Sequence, residues 1–318
     1  MTRNFKIDNL KAMLIFLVVF GHLLECFYGN IQLWLYSVIY SFHMPAFVYT
    51  TGYFSRFDSK RYINALLYPY CIYQILYLLF QRFYLKEDNV LQFTTPYWLL
   101  WYLLSTMFWM LFLQFIEGKK LHSKAILIVS FLCALFIGYD NSIGYYLSLS
   151  RTIVLFPFYI AGYFRIFDHV EKMNKIRKTL CVGGIIFSSA AIWYFRNDIQ
   201  NNWFYHALPY QKNGSSGFIR FMMLVLSFLW IAFLFLIVPS KEVKIISKLG
   251  KNTISIFLLH GFIIKIIDKT AFFHWNEIGN IIAALFLSII LCLILGSNIT
   301  VKIFRITFNA DRIKNFFS

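Results

Sequence analysis

The amino-acid sequence predicts an all-α, polytopic membrane protein with about ten transmembrane helices and both termini in the cytoplasm. Three observations predict it: a very apolar composition, a series of apolar runs of membrane-spanning length, and basic residues confined to alternate gaps. Of the 318 residues, 59% are hydrophobic, 21% are aromatic and only 14% are charged. Soluble domains carry about 25% charged residues and cannot bury so much apolar surface. The composition therefore indicates an integral membrane protein.

The apolar runs are the second observation. A helix needs about 20 mostly apolar residues to cross the hydrocarbon core of a bilayer, and the chain contains about ten such runs. The longest polar gap, at residues 197–217, is too short to form a domain, so we expect one transmembrane domain over residues 1–318. The runs lie at about residues 7–28, 35–54, 62–84, 96–116, 123–139, 151–167, 179–196, 218–238, 252–272 and 278–304.

Lysine and arginine occupy alternate gaps between the runs, which is the third observation. The basic gaps include residues 56–61, 165–178 and 241–251, whereas YGNIQLW and GYDNSIGYY carry little charge. Cytoplasmic loops of membrane proteins have an excess of lysine and arginine. This alternation predicts that both termini are cytoplasmic and that the number of spans is even.

The formal net charge of +16 raises the question of nucleic-acid binding. In a membrane protein, such an excess of positive charge is explained by basic cytoplasmic loops and by contact with anionic lipid headgroups. We therefore expect membrane lipids but no nucleic acid as partners. The five cysteines are scattered through apolar runs. Neither a disulfide framework nor a metal site is expected from them.

The first span, IDNLKAMLIFLVVFGHLLECF, carries ionisable residues within its apolar sequence. On a helix, His22 lies about 16 Å further along the axis than Lys11 and within about 20° of it around the axis. Asp8 and Glu25 fall on the same stripe, within about 60° and 40° of Lys11. Intramembrane ionisable residues are functional by default because burying them is costly. The alternative is that Asp8 and Lys11 lie at the membrane interface, while His22 and Glu25 form a structural pair.

A second histidine is predicted at the same depth. In SFHMPAFVYTTGYF, His43 lies about 12 Å below the outer start of the second span, and His22 lies about 9 Å below the outer end of the first. Consecutive spans are usually neighbours, so we predict a site formed by His22, Glu25 and His43. Pro45 is expected to free a backbone carbonyl and bend the helix. A packing histidine beside a kink is the alternative for His43.

These stretches resemble acyltransferase family 3, the integral-membrane acyltransferases that O-acylate cell-surface sugars. IDNLKAMLIFLVVFGH is similar to the family's opening pattern of a basic residue and a histidine, and FHMPAFVYTTGYF is similar to its second motif. LWYLLSTMFW, RTIVLFPFYIAGYF and LGKNTISIFLLH are similar to later segments. The likeness runs through nearly the whole chain in the expected order.

The resemblance implies about ten transmembrane helices, an acyl-coenzyme A donor bound from the cytoplasm, and transfer to a hydroxyl of a glycan or glycolipid. By the family motif, His22 is expected to be the catalytic histidine, Lys11 its paired basic residue, and His43 part of the same site. Acetyl-CoA is expected as donor because acetyl is the family's commonest acyl group. We expect a cell-surface polysaccharide or lipid-linked glycan as acceptor, and the bacterial plasma membrane as location. The chain departs from the family at Asn64, where an arginine is often found.

Basic residues near the cytoplasmic end of the stripe are candidates for holding the donor. Arg56, Lys60 and Arg61 follow the second span. Together with Lys11 they could bind the phosphates of coenzyme A, since both side-chain types recognise phosphate. The alternative for each is the ordinary positive-inside role.

The predicted chemistry centres on His22. It acts either as general base on the acceptor hydroxyl or as a covalent acyl carrier, and the sequence leaves both mechanisms open. Glu25 is predicted to orient His22. His43 is predicted to stabilise the developing oxyanion or to guide a proton.

Residues at the outer ends of two later spans are candidates for binding the acceptor. In PYWLLWYLL, Trp98, Trp101 and Tyr102 could stack on sugar rings, with an interfacial aromatic belt as the alternative. Arg151 could contact an acidic glycan or extend to the interface. His260 is left open between helix packing and a role in the site.

Two other functions are compatible with such a chain. A transporter or flippase for a lipid-linked sugar would also combine about ten spans with buried charge, although the sequence has no visibly related halves. A non-catalytic assembly partner would not need the aligned stripe. The sequence favours the acyltransferase and leaves the oligomeric state open.

Overall fold

A computed structural model describes residues 4–88, 90, 92–117, 119 and 122–311. All regular secondary structure of these residues is helical, which confirms the predicted all-α class. The helices are α1 (Phe5–Leu24), α2 (Asn30–Tyr40), α3 (His43–Tyr53), α4 (Ser59–Tyr62), α5 (Tyr68–Phe80), α6 (Trp101–Ile116), α7 (Ser123–Phe136), α8 (Leu149–Tyr163), α9 (Lys175–Tyr194), α10 (Asn202–Tyr205), α11 (Tyr210–Asn213), α12 (Gly217–Ile237), α13 (Lys244–Lys251), α14 (Thr253–Lys269), α15 (Glu277–Leu295) and α16 (Asn298–Ile303). Turns of π-helix at Ile63–Leu67 and Gln81–Leu85 extend α5, and 3-10 turns lie at Trp98–Leu100, Ile137–Tyr139, Tyr146–Ser148 and Val170–Lys172.

Six helical segments of the described chain are long and apolar enough to cross a membrane. A bent pair, α13 and α14, meets at 77° and adds a seventh if the pair is one span. This pattern indicates a multi-pass membrane protein. The six segments are Phe5–Leu24, Ser59–Leu85, Trp98–Ile116, Lys175–Tyr194, Gly217–Ile237 and Glu277–Leu295.

The other three expected spans coincide with shorter helices. Residues 35–54 correspond to α2 and α3, residues 123–139 to α7, and residues 151–167 to α8. The count of ten spans and the cytoplasmic placement of the termini stay predictions. Residues 1–3 and 312–318, at the two chain ends, lie outside the described residues.

The second expected span is broken beside His43. α2 ends at Tyr40 and α3 begins at His43. Pro45, in the first turn of α3, has no N–H to offer the carbonyl of Ser41. That carbonyl accepts a hydrogen bond of 2.6 Å from Ser227 Oγ on α12 instead. The expectation that Pro45 frees a backbone carbonyl is confirmed, and the break between α2 and α3 leaves His43 at the first position of a new helix.

α3 and α8 are in backbone contact at two glycines. A Cβ at Gly52 would collide with the carbonyl oxygen of Tyr159, and a Cβ at Gly162 would collide with that of Tyr49. Both glycines stand in the same local pattern, YTTGYF in α3 and YIAGYF in α8. Small residues allow membrane helices to approach this closely. The crossing fixes α3 and α8 against each other.

α1 lies in the interior of the bundle, with buried apolar side chains on all of its faces. Near its start, the side-chain amide of Asn9 donates hydrogen bonds of 2.9 Å to the carbonyls of Pro239 and Lys241. Ser247 Oγ of α13 donates to Asn9 Oδ1 at 2.7 Å. These contacts hold α1 among its neighbours, so its charged stripe faces protein and cavities.

Candidate active site

His22 and Glu25 form a hydrogen-bonded pair at the end of α1. Nδ1 of His22 lies 3.0 Å from Oε2 of Glu25, and the two side chains are 14% and 27% exposed. A carboxylate at Nδ1 selects the neutral tautomer that carries its proton on Nδ1 and a lone pair on Nε2. The predicted pairing of these residues is confirmed, and it leaves Nε2 of His22 able to accept a proton.

Three tyrosine hydroxyls surround the other oxygen of Glu25. Tyr40 donates to Oε1 at 2.8 Å and Tyr205 at 3.1 Å. The hydroxyl of Tyr36 lies 2.8 Å from that of Tyr205 and 3.4 Å from Oε1. The hydroxyl of Tyr40 also lies 3.0 Å from Nδ1 of His22. A carboxylate held by several donors keeps a fixed orientation, so this network fixes the imidazole through Glu25.

Arg151 anchors the C-terminal end of α10, which supplies Tyr205. Nε of Arg151 donates a hydrogen bond of 3.0 Å to the carbonyl of Tyr205, and Oγ of Ser150 donates one of 2.7 Å to the carbonyl of His206. The guanidinium of Arg151 also lies over the ring of Trp101, 5.2 Å from its centroid. In this structure, Arg151 therefore holds part of the site together.

His22 opens onto a cavity of about 260 Å³ near the C-terminal end of α1, named here the His22 cavity. The His22 ring packs against Trp98, with centroids 4.7 Å apart, and against His260, with centroids 5.6 Å apart. All three predicted catalytic residues line this cavity, together with three of the four residues predicted to bind the acceptor. The fourth, Tyr102, and the predicted donor-binding residues do not line it. The lining includes Val18, His22, Glu25, Tyr40, His43, Trp98, Trp101, Arg151, Tyr205, His206 and Phe257.

Two further histidines are buried close to His22. Nδ1 of His43 bonds the carbonyl of Ile39 at 2.8 Å, and Nδ1 of His260 bonds that of Ile256 at 2.9 Å. A carbonyl only accepts, so Nδ1 carries the proton in each ring and Nε2 has a lone pair.

Burial and two neighbouring arginines lower the pKa of His206, in the adjoining loop, to about 3. Within the described residues, no group of three or more His, Cys, Asp and Glu side chains is placed to hold a metal.

A second cavity, of about 430 Å³, lies nearer the start of α1 and is named here the Lys11 cavity. Lys11, Arg61 and Lys251 supply its positive charge. Tyr102 is hydrogen-bonded to Thr51 in its wall. Lys251 was not predicted, because its lysine-rich gap already had an explanation in the positive-inside rule. The lining also includes Phe47, Thr50, Ser55, Leu103, Thr106, Asn252, Phe257, Phe308 and Asn309.

A third cavity, of about 730 Å³, adjoins the Lys11 cavity and is named here the Arg56 cavity. It is lined by Arg56, Arg61 and Arg165 and also by Glu117. Arg61 belongs to both cavities. Lys60, which was also predicted to bind the donor, is exposed, and its Nζ lies 3.6 Å from Oδ2 of Asp311. Its role in donor binding stays a prediction.

Phe257 lines both the His22 cavity and the Lys11 cavity. Its buried ring packs against Tyr102, with centroids 5.4 Å apart, and against His260, with centroids 6.2 Å apart. One aromatic side chain of α14 thus stands between a cavity rich in cations and a cavity that contains a histidine–carboxylate pair. The sequence offered no signal for this position.

Comparison with known protein families identifies the class of reaction. The sequence model of a family described as "Acyltransferase domain", the acyltransferase family 3 domain, matches residues 4–297. No curated protein and no solved structure gives a significant match to this chain. The family match covers nearly the whole chain and favours an enzyme over the transporter. The chain belongs to acyltransferase family 3 and is a membrane O-acyltransferase.

Proposed function

We propose that this protein transfers an acetyl group from cytoplasmic acetyl-CoA to a hydroxyl of a cell-surface polysaccharide or lipid-linked glycan, with His22 as general base. The observation that carries the proposal is the meeting of two unlike cavities at Phe257. One contains three cations and suits phosphates. The other contains His22 held by Glu25 and suits proton transfer.

The proposed topology has ten spans, with both termini in the cytoplasm of a bacterial plasma membrane. The short helices α2 with α3, α7 and α8 would supply the three spans beyond the seven candidates. The alternating basic gaps support this orientation. It puts the Lys11 cavity on the cytoplasmic side of the membrane and the His22 cavity on the outer side.

The donor would bind with its phosphates at Lys11, Arg61 and Lys251. Arg56 and Arg165 in the adjoining cavity extend the basic surface beyond the Lys11 cavity. From Lys11 to His22 is about 16 Å along α1. The flexible arm of coenzyme A would extend over this distance past Phe257, so that the thioester enters the His22 cavity.

The reaction would begin when the acceptor hydroxyl lies beside Nε2 of His22. As the hydroxyl oxygen bonds to the acyl carbon, its proton passes to Nε2, and Glu25 stabilises the imidazolium that forms. The carbon–sulfur bond then breaks and the proton passes to the thiolate, giving an O-acetyl ester and free coenzyme A thiol. A covalent acyl-histidine relay is the alternative mechanism.

His43 and His260 would accept rather than donate hydrogen bonds. Each uses the proton on Nδ1 for a carbonyl of its own helix, so Nε2 offers a lone pair. That geometry supports a role for His43 in guiding a proton, and gives less support to the stabilisation of an oxyanion, which needs a donor.

Replacing His22 tests the proposed function. Protein in liposomes would be given radiolabelled acetyl-CoA and the polysaccharide and glycolipid fractions of the source organism. In His22→Gln, transfer should fall about 10²- to 10⁴-fold, because glutamine cannot act as a base. The exposed His274 offers a matched control, and His274→Gln should keep wild-type transfer. Equal transfer by His22→Gln and wild type would exclude His22 as the base.

A further inference from the structure

A fourth cavity, of about 390 Å³, is also lined by Glu25 and is named here the Tyr28 cavity. The side chain of Tyr28 is 94% exposed, and Asn201 is exposed as well. Both residues line this cavity, which places its mouth at the protein surface. Its volume falls in the usual range of about 300–1,000 Å³ for small-molecule sites.

The Tyr28 cavity and the His22 cavity share a wall. Glu25 and Tyr205 line both of them. The hydroxyl of Tyr205 donates to Glu25 Oε1 at 3.1 Å, and Glu25 in turn contacts His22. A molecule in the Tyr28 cavity would therefore lie one side chain away from the proposed site of acyl transfer.

The Tyr28 cavity is preformed, because polar contacts fix its walls. Oε1 of Glu277 accepts hydrogen bonds of 2.6 Å from the backbone N–H of Ile31 and 2.8 Å from that of Gln32. Nε2 of Gln32 donates to the carbonyl of Leu24 at 2.6 Å. A Cβ at Gly29 would collide with the carboxylate of Glu277, so glycine is required where the chain passes this carboxylate.

The chemistry of the lining suits a neutral molecule with many hydroxyls. Tyrosine rings offer flat apolar surface with a polar tip, and Asn201 and Gln32 carry amides that donate and accept. Glu25 also lines the cavity, with its carboxylate oxygens hydrogen-bonded to His22 and the tyrosine hydroxyls. Among the described residues that line the cavity, none is basic, in contrast to the Lys11 cavity. A phosphate or carboxylate group has no counter-charge here, whereas a sugar finds both ring faces and hydrogen-bonding groups.

We propose that the Tyr28 cavity binds the sugar unit next to the one that receives the acyl group. The acceptor is then an oligosaccharide or a longer chain that lies across Glu25 and Tyr205, with one unit in each cavity. This inference rests on the proposed function and adds the size of the acceptor to it. Tyr28 and Asn201 would set the preference for a chain over a single sugar.

A double variant, Tyr28→Ala with Asn201→Ala, tests this subsite. Both residues are exposed, so the variant should fold like wild type. Detergent-solubilised protein would be applied to an array of bacterial oligosaccharides and of their constituent monosaccharides, and the affinity for each bound glycan would be measured by calorimetry. We expect wild type to bind at least one oligosaccharide about tenfold more tightly than its monosaccharide, and we expect the variant to lose this difference.

The matched control is Tyr194→Ala, since Tyr194 is 78% exposed at the end of α9 and lines none of the four cavities described above. This control should bind like wild type. The proposal is wrong if no glycan on the array binds, if the monosaccharide binds as tightly as the chain, or if the double variant keeps the preference. Consumption of acetyl-CoA that depends on His22 is measured separately, so a failed subsite and a failed enzymatic function give different results.

Discussion

The Lys11 cavity and the His22 cavity are both lined by residues of α1, α3, α6 and α14 but differ in chemistry. The Lys11 cavity contains lysine and arginine side chains with several hydroxyls, and none of the described residues that line it is acidic. The described residues that line the His22 cavity supply imidazoles, the carboxylate of Glu25, aromatic rings and the guanidinium of Arg151, which is bonded to a backbone carbonyl. One half of the bundle is suited to holding anions and the other to moving a proton. Phe257 is the residue they share.

After the replacement of His22 itself, the largest expected effect comes from removing the charge of Glu25. In Glu25→Gln, kcat for transfer should fall about 100-fold, because an amide cannot stabilise the imidazolium of His22. The KM for acetyl-CoA should stay near its wild-type value, since the Lys11 cavity is unchanged. Steady-state kinetics at varied acetyl-CoA concentration would measure both constants. If Glu25→Gln instead raises the KM for acetyl-CoA and leaves kcat unchanged, the assignment of donor binding to the Lys11 cavity and proton transfer to the His22 cavity is wrong.

A smaller effect is expected at Arg61. Losing a charge-assisted hydrogen bond to phosphate costs about 1.5–3 kcal/mol, so Arg61→Ala should raise the KM for acetyl-CoA at least about tenfold with little change in kcat. Lys60 is the matched control. Its ion pair with Asp311 is exposed, and such pairs contribute about 0–1 kcal/mol, so Lys60→Ala should change the KM less than about twofold. If the KM for acetyl-CoA rises equally in Arg61→Ala and Lys60→Ala, Lys60 contributes to donor binding as much as Arg61 does.

The smallest effect is expected at Phe257, and it concerns selectivity. Phe257→Leu should raise kcat/KM for butyryl-CoA relative to acetyl-CoA about fivefold, since space for extra methylenes in an apolar pocket is worth about 1–3 kcal/mol. The control is Phe42→Leu, because the buried ring of Phe42 stacks on Trp230 at 4.4 Å and lines neither cavity. If both variants keep the wild-type preference, Phe257 does not control passage between the cavities.

Local sequence was enough to predict the core of the site. The helical period placed Lys11, His22 and Glu25 on one stripe, and the short connection to the next span brought His43 near His22. The effect of Pro45 followed from its missing N–H. Each of these inferences needs only the geometry of one helix or of two consecutive ones.

The remaining site residues could not be assigned in this way, for two physical reasons. Tyr205 and Phe257 reach the site through contacts between distant parts of the chain, which no local pattern encodes. Neighbouring residues also diverge, because successive side chains on a helix differ by about 100°. Trp101 lines the His22 cavity while Tyr102 lines the Lys11 cavity. Two aromatic residues that are adjacent in the sequence therefore belong to different cavities. In the same way, Arg61 lines the Lys11 cavity whereas the adjacent Lys60 is exposed.

The glycine contact between α3 and α8 has a mechanical consequence. Both helices start at the His22 cavity, with His43 on α3 and Arg151 on α8, and both end near the Arg56 cavity, where Arg56 and Arg165 follow them. Gly52 and Gly162 are each the second-last residue of their helix, so the close backbone contact lies next to the arginine end. A side chain at either glycine would collide with the backbone of the other helix and force the two helices apart. Such a substitution would therefore change the spacing of Arg56 and Arg165, which follow the contact by only a few residues.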